Sequence, residues 1–356
     1  MAISTFNQRL LAWFDQYGRT NLPWQSNPTP YRVWISEVML QQTQVNTVIP
    51  YYQRFTERFT DIITLASASL DEVLYYWAGL GYYARARHLY QTAQQVFHQY
   101  NGELPTDLNQ LMQLPGIGRS TAGAILALAH QQRHPILDGN VKRVLCRYYA
   151  LAGHPSEKVV ANTLWRLAEE NMPTKRIAAY TQAIMDLGAT ICIRRHPHCS
   201  LCPFQSDCLA HQQRQEDIYP SPPLRKSLPV KTTTFIMLQN EKSGEVLLEK
   251  RPSKGIWGGL WSFPECALPT DIPHWCQQYL QLVIYQYHPW QLVRHTFTHF
   301  HLDIIPVQVS LSAEQCKLVV FSNGFWYNAV QAPVYGLAVP VARLLTQLTS
   351  TGELLS

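Results

Sequence analysis

Apolar positions recur at helical spacing from the start of the chain to about residue 210. Phe6, Leu10, Leu11, Trp13 and Phe14, interrupted by Arg9 and Asp15, predict a first helix over 3–17. Pro23, Pro28 and Pro30 break the pattern, and a second helix is predicted over 31–43. More follow over 46–58, 60–66, 70–77 and 85–100. Leu108, Leu111 and Met112 begin a helix that stops at Pro115, because proline pushes its predecessor out of the α region. After Leu114-Pro115-Gly116-Ile117-Gly118 an Ala-rich helix opens at Arg119, and others are expected over 139–151, 156–171 and 174–188.

From 211 to 230 the chain turns Gln-rich and then Pro-rich, which reads as a linker. β signals dominate after it. Strands are expected over 232–238 and 245–250, joined around Lys242-Ser243-Gly244, and again over 292–297 and 300–310. Between them lie a Gly/aromatic loop over 255–264 and a helix over 271–281, and a helix over 340–348 closes the pattern. The expected organisation is an all-α domain over 1–215, a linker over 216–230 and an α+β domain over 231–350.

Composition narrows this modestly. At 356 residues two domains are natural, and 46% hydrophobic residues supply sizeable cores. The formal charge of +5 is compatible with a nucleic-acid partner without indicating one. The N-terminal helix lacks the apolar region and cleavage site of a signal peptide, and no stretch approaches the roughly 18 apolar residues of a membrane span. A soluble, cytoplasmic protein with no membrane partner is expected.

Four stretches carry candidate chemistry. Gly116 and Gly118 both permit φ > 0 and leave N–H groups uncovered at a helix N-terminus, a ready anion site; a plain interhelical turn is the alternative. Asp138 precedes Gly139-Asn140-Val141 at a helix start, where it is an N-cap and a candidate catalytic carboxylate. Glu37 is flanked by Trp34, Ile35, Val38, Met39 and Leu40. It either points to solvent along a narrow polar stripe or is a partly buried carboxyl with a raised pKa, suited to general acid work. Gly79-Leu80-Gly81-Tyr82-Tyr83 reads as a turn presenting Leu80 and the tyrosines beside Arg85 and Arg87, able to wedge into or stack on bases; packing on a neighbouring helix is the plain reading.

Four of the eight cysteines lie in the run Cys192-x6-Cys199-x2-Cys202-x5-Cys208, and the others (Cys146, Cys266, Cys276, Cys316) are scattered. That is a metal-site distribution rather than a disulfide framework. Zinc sites normally pair two Cys-x2–4-Cys knuckles, so the spacing favours a 4Fe–4S cluster over zinc. Arg194, Arg195, His196 and His198 sit in the long loop between the first two cysteines, which a cluster would fold into a basic loop able to touch phosphate.

The Leu-Pro-Gly-Ile-Gly hairpin, Asp138 after it and the four-cysteine tail together resemble the helix-hairpin-helix DNA glycosylase superfamily. The runs Ile35-Ser36-Glu37-Val38-Met39-Leu40-Gln41-Gln42-Thr43 and Ile136-Leu137-Asp138-Gly139-Asn140-Val141-Lys142-Arg143-Val144 narrow the likeness to the MutY family within it. The second domain resembles the Nudix fold through Lys254-Gly255-Ile256-Trp257-Gly258-Gly259-Leu260-Trp261-Ser262-Phe263-Pro264. The acidic magnesium-binding helix of active Nudix enzymes is missing after Glu265, where Leu268, Pro269, Asp271, Pro273 and His274 stand, so no nucleotide hydrolysis is expected.

The resemblance implies a monomeric base-excision enzyme with a 4Fe–4S cluster on Cys192, Cys199, Cys202 and Cys208. It would flip adenine from double-stranded DNA, opposite 8-oxoguanine or guanine, and hydrolyse its N-glycosidic bond. It implies Glu37 as the acid protonating adenine N7, Asp138 as an ionised carboxylate stabilising the sugar cation, and Asn140 as its orienter. Trp24, Leu40 and Gln182 would line the adenine pocket, and Gln42, Thr43, Leu80 and Tyr82 would engage the opposite base and the gap. Gly116 and Gly118 would grip phosphate. Phe297, Thr298 and His299 would recognise 8-oxoguanine, with Thr in the place of the family's Ser. Endonuclease III-like relatives carry a lysine nucleophile two residues past the second hairpin glycine. Here Ser120 holds that place in the substrate site, which implies base removal without strand cleavage. The rival readings are an endonuclease III-like glycosylase/lyase for oxidised pyrimidines and a non-catalytic iron–sulfur DNA-binding protein.

Overall fold

The structure, a computed structural model, describes residues 5–222, 227–266, 271–319, 323–328 and 335–352. Part of the expected linker (223–226), together with Leu268 and Pro269 of the missing acidic helix, lies outside the described residues. The chain forms two compact units, one of 1–67 with 88–225 and one of 68–87 with 226–356. Residues 68–87, expected with the all-α part, therefore pack with the second unit.

Twelve α-helices precede the first strand among the described residues: α1 (Phe6–Tyr17), α2 (Pro30–Leu40), α3 (Val45–Arg58), α4 (Ile62–Ser67), α5 (Leu70–Trp77), α6 (Ala84–Tyr100), α7 (Leu108–Met112), α8 (Arg119–His130), α9 (Gly139–Tyr148), α10 (Lys158–Asn171), α11 (Ile177–Asp186) and α12 (Leu209–Gln212). Their starts follow local chemistry. Thr29 caps α2 by accepting from the Arg32 N–H, with Pro30 in the first turn, and Asp107 caps α7 by accepting from Gln110. The apolar stripe of α1 packs with α9, α10 and α11 around Leu10, Leu145, Leu164 and Ile184, and the Phe6 ring stacks on Phe204 at 4.2 Å.

Two helices are shorter than their apolar pattern suggests, because tertiary turns intervene. The expected helix over 31–43 ends at Leu40, since Gln41 leaves the α region and Gln42 turns left-handed at φ 59°. The helix expected to 151 ends at Tyr148, with Ala150 at φ 46°. α11 opens out into a π-helical turn, Leu187–Ile191, a local widening common beside functional sites. Among the described residues no helix is long and apolar enough to cross a membrane.

The second unit is built on a mixed sheet. Its strands are β1 (Val230–Asn240), β2 (Val246–Lys250), β3 (Trp261–Ser262), β4 (Glu265–Cys266), β5 (His288–Pro289), β6 (Val293–Thr296), β7 (His301–Leu311) and β8 (Gly324–Tyr327). The order runs β3-β2-β1-β7-β5, with β4 on β1, β6 on β7 and β8 on β2. β1 and β7 pair in parallel from Val230↔His301 to Asn240↔Leu311, and the other pairings are antiparallel. Helices α13 (Ile272–Leu280), α14 (Ala313–Leu318) and α15 (Val339–Gly352) complete it. Ile236, Leu238, Val307 and Val309 meet Trp275 and Cys276 of α13 in one core.

Candidate active site

The hairpin between α7 and α8 is fixed from both sides. The Thr92 hydroxyl donates to the Pro115 carbonyl at 2.8 Å. Gly116 takes φ 77°, and a Cβ there would lie 2.8 Å from His88 Cβ. Gly118 caps α8 with extended backbone (φ −88°, ψ 173°) and open space in front of it. The left-handed freedom expected of both glycines is thus used only at Gly116. At Gly118 the missing side chain leaves the exposed N-terminus of α8 uncovered, which suits an anion.

After α8 the chain runs through buried Ile136 and Leu137 to Asp138. The Ser120 hydroxyl accepts from the Leu137 N–H at 3.0 Å, tying α8 to the approach to Asp138. Asp138 caps α9: Val141 N–H donates to Oδ1 at 2.8 Å, and Asn140 Nδ2 donates to Oδ2 at 3.1 Å. Arg143 braces this pair, donating to Asn140 Oδ1 at 2.8 Å, to the Cys192 carbonyl at 2.6 Å and to the Gly188 carbonyl. Gly188, in the π-helical turn, makes room: a Cβ there would fall 2.6 Å from Asn140 Cβ.

Trp24, Glu37, Leu40, Gln42, Thr43, Ser120, Asp138, Asn140 and Gln182 all line one cleft of about 770 Å³. α2 positions Glu37 by burying Val33, Trp34, Ile35, Val38 and Met39 around it, so Glu37 faces the cleft rather than open solvent. Trp24 is buried and meets Tyr52 edge-on at 5.4 Å. Gln42 and Thr43 lie on the turn after α2, with Gln42 exposed.

The two carboxyls differ in their partners. Burial, with a smaller contribution from the Asp138 charge, pushes Glu37 up to about 8. Among the described residues no donor hydrogen-bonds its carboxyl. Burial also raises Asp138, opposed by the Val141 and Asn140 donors and the Arg143 charge. Desolvation outweighs the helix-end donors, so the Asp138 pKa stands above the ordinary aspartate range, while those donors still favour its charged form. The two sites titrate as a pair. The charge settles on Asp138, where hydrogen bonds receive it, and the proton on Glu37.

In the second unit, Tyr82 is 43% exposed at φ 50°, with Arg85 over its ring. Leu80, expected at the tip beside it, is 6% exposed and thus buried. The turn folds inward because Gly81 O accepts from Trp77 Nε1 at 3.0 Å and from Arg85 Nη2 at 3.1 Å. Phe297 is stacked on Phe300 at 4.5 Å, and Thr298 and His299 are exposed beyond it with their side chains 3.2 Å apart.

Cys192, Cys199, Cys202 and Cys208 line one small cavity. Burial, reinforced by the Glu216 charge and the neighbouring sulfurs, pushes Cys199 up to about 11, and burial with the neighbouring sulfurs pushes Cys202 up to about 12. Four converging sulfurs that burial disfavours as thiolates would ionise on binding a metal, so the donor set fits a thiolate-held centre. Buried Arg147 donates to Cys192 Sγ at 3.3 Å and to the Ile193 and Arg194 carbonyls, shaping the loop between the first two cysteines. His211 and Glu216 hydrogen-bond each other beside Cys199, and Glu216 Oε1 also accepts from Cys199 Sγ at 3.8 Å.

The sequence alone gives little sign of Arg143 and Gly188. The only signal for Arg143 was its place three residues after Asn140, on the same face of α9. Gly188 carried none, since its partner is 48 positions away, by the numbering.

Residues 35–170 match the HhH-GPD superfamily of base excision DNA repair proteins, and 234–347 match the NUDIX domain. The chain is 39% identical over 345 residues to an adenine DNA glycosylase of Buchnera aphidicola (from Schizaphis graminum), covering 97% of this chain and 99% of that one. It is 37% identical over 314 residues to the human adenine DNA glycosylase, covering 74% of this chain and 57% of the human one. A thermostable thymine-DNA glycosylase superposes with a TM-score of 0.53 at 27% identity, over 58% of this chain and 95% of that structure. The cleft with its two unlike carboxyls, the hairpin and these relatives lead to one conclusion: the chain belongs to the adenine DNA glycosylase family.

Proposed function

We propose that this enzyme excises adenine paired with 8-oxoguanine or guanine from double-stranded DNA, acting as a monomer and leaving the strand uncut. The observation that carries the reading is the single cleft holding Glu37 and Asp138 in opposite hydrogen-bonding situations. Adenine leaves poorly as an anion, and the sugar left behind becomes cationic. Glu37, protonated near neutral pH, delivers its proton to adenine N7 as the glycosidic bond breaks. Asp138 stabilises the developing sugar cation from the other side, and Asn140 and Arg143 hold it there. Water then adds to C1′ of the sugar and gives up a proton, which returns the Glu37 carboxylate to its acid form. Each acid/base role is worth about 10²–10⁴ in rate.

The exposed start of α8 at Gly118 supports a phosphate grip. Tyr82 supports a stacking contact at the strand gap, and Thr298 with His299 supports recognition of 8-oxoguanine. The four cysteines would hold a 4Fe–4S cluster, which supplies folding of the 192–208 loop. Ser120 lacks an amine, so no Schiff base forms at that position and strand cleavage loses its covalent catalyst. The test is incubation with duplexes carrying adenine or thymine glycol opposite 8-oxoguanine or adenine, with and without alkali. Adenine release with nicking only after alkali is expected. Nicking at thymine glycol without alkali would support the pyrimidine-specific lyase instead.

A further inference from the structure

Asp186 ends α11, one turn after Gln182, and is fully buried. A buried carboxylate is costly unless donors occupy its oxygens. Arg19 supplies three: its backbone N–H reaches Oδ2 at 2.8 Å, and Nε and Nη2 reach Oδ1 at 3.0 and 2.6 Å. The fourth is Gln182 Nε2, at 3.0 Å from Oδ1. A carboxylate paired with arginine only accepts, so the nitrogen end of the Gln182 amide must face it. The carbonyl end is then turned away, and among the described residues no donor reaches Gln182 Oε1. Gln182 lines the same cleft as Trp24, Glu37 and Asp138.

We infer that Asp186 is a positioning residue that locks the Gln182 amide with its oxygen toward the cleft, so that the pocket accepts a 6-amino purine and rejects a 6-oxo one. This rests on the adenine-removing reading above. Adenine offers an N–H donor at C6 and an acceptor at N1, whereas hypoxanthine reverses both, with N–H at N1 and an oxygen at C6 that meets the Gln182 oxygen. An untethered glutamine amide turns over by a half-rotation of its broad terminal torsion and would serve either base. Discrimination therefore resides in the tether to Asp186. A site built around one hydrogen-bonding sense rejects the mismatched group strongly, because the polar pair is left unsatisfied.

The test is single-turnover base release from duplexes holding deoxyadenosine, purine deoxyriboside or deoxyinosine opposite 8-oxoguanine, each rate normalised to that nucleoside's uncatalysed hydrolysis. The native enzyme is expected to rank adenine above unsubstituted purine and purine above hypoxanthine. Asp186→Asn can donate to Gln182 Oε1 and let the amide turn, so the adenine-to-hypoxanthine ratio should fall about tenfold or more. The native ranking needs no variant and so stands whether or not Asp186→Asn folds. Equal losses on adenine and hypoxanthine in Asp186→Asn, or hypoxanthine released as readily as adenine by the native enzyme, would overturn the inference. Absence of any adenine release by the native enzyme would sink the underlying activity instead.

Discussion

The Asn140 amide donates to Asp138 Oδ2 at 3.1 Å, the oxygen left open by the Val141 N–H, which bonds Oδ1. Both carboxylate oxygens are thereby held, in a residue that lines the cleft. Asn140→Ala removes one donor from the charged form and one of the acceptors that hold Arg143. Base release should slow by about 10²-fold, with affinity for a mismatched duplex little changed. Single-turnover kinetics beside filter binding measure the two separately.

Asp138→Asn keeps the size of the side chain and removes the charge. Adenine release should fall by at least about 10³-fold while mismatch binding persists. Undiminished release by this variant would remove Asp138 from the chemistry.

The rate should follow a bell in pH. Its alkaline limb belongs to Glu37, which must carry a proton and loses it near 8. Its acid limb lies above the ordinary aspartate range, because burial raises Asp138. The same shift has a sign for stability. A carboxyl whose folded pKa exceeds its unfolded value stabilises the fold below about 4.5, and that contribution is lost as pH rises through about 8. Glu37→Gln should therefore be inactive yet melt a few degrees higher at pH 8, with the advantage gone at pH 4. Melting curves at the two pH values test this.

The two hairpin glycines should respond differently to alanine. Gly116→Ala meets both φ 77° and the His88 side chain, so it should cost about 1–3 kcal/mol. Gly118→Ala meets neither and should leave the melting temperature nearly unchanged. It should weaken binding to any duplex by placing a methyl before the α8 terminus. Melting curves and salt-dependent binding distinguish the two effects.

Gly188→Ala would push a methyl into Asn140, 2.6 Å from its Cβ. Loss of both stability and base release is expected, measured by melting curves and single-turnover kinetics.

The sequence carried the parts of this site that are local. The Pro-Gly turn, the carboxylate at a helix start and the cysteine spacing each lie within a short run, and each landed where expected. Glu37 was legible as an anomaly, but whether it met solvent or a cleft depended on α8 and α9, which no local pattern supplies. Asp138 was legible as a cap; that burial would outweigh the cap required its surroundings. Leu80 was misplaced because a Gly-flanked turn gives no sign of which way it folds. The pairing of Arg19 with Asp186 spans 167 positions and left no trace in periodicity.

The parallel pairing of β1 with β7 joins residues 71 positions apart, as 230 and 301 are. During synthesis β1 emerges early and must wait for most of the second unit before its longest neighbour exists. Until then its apolar run Phe235-Ile236-Met237-Leu238 has an unpaired edge. A chain that ends after β1 but before β7 would keep that edge exposed, so products of that length should aggregate. Once β1 has been made, reaching β7 is what covers its open edge.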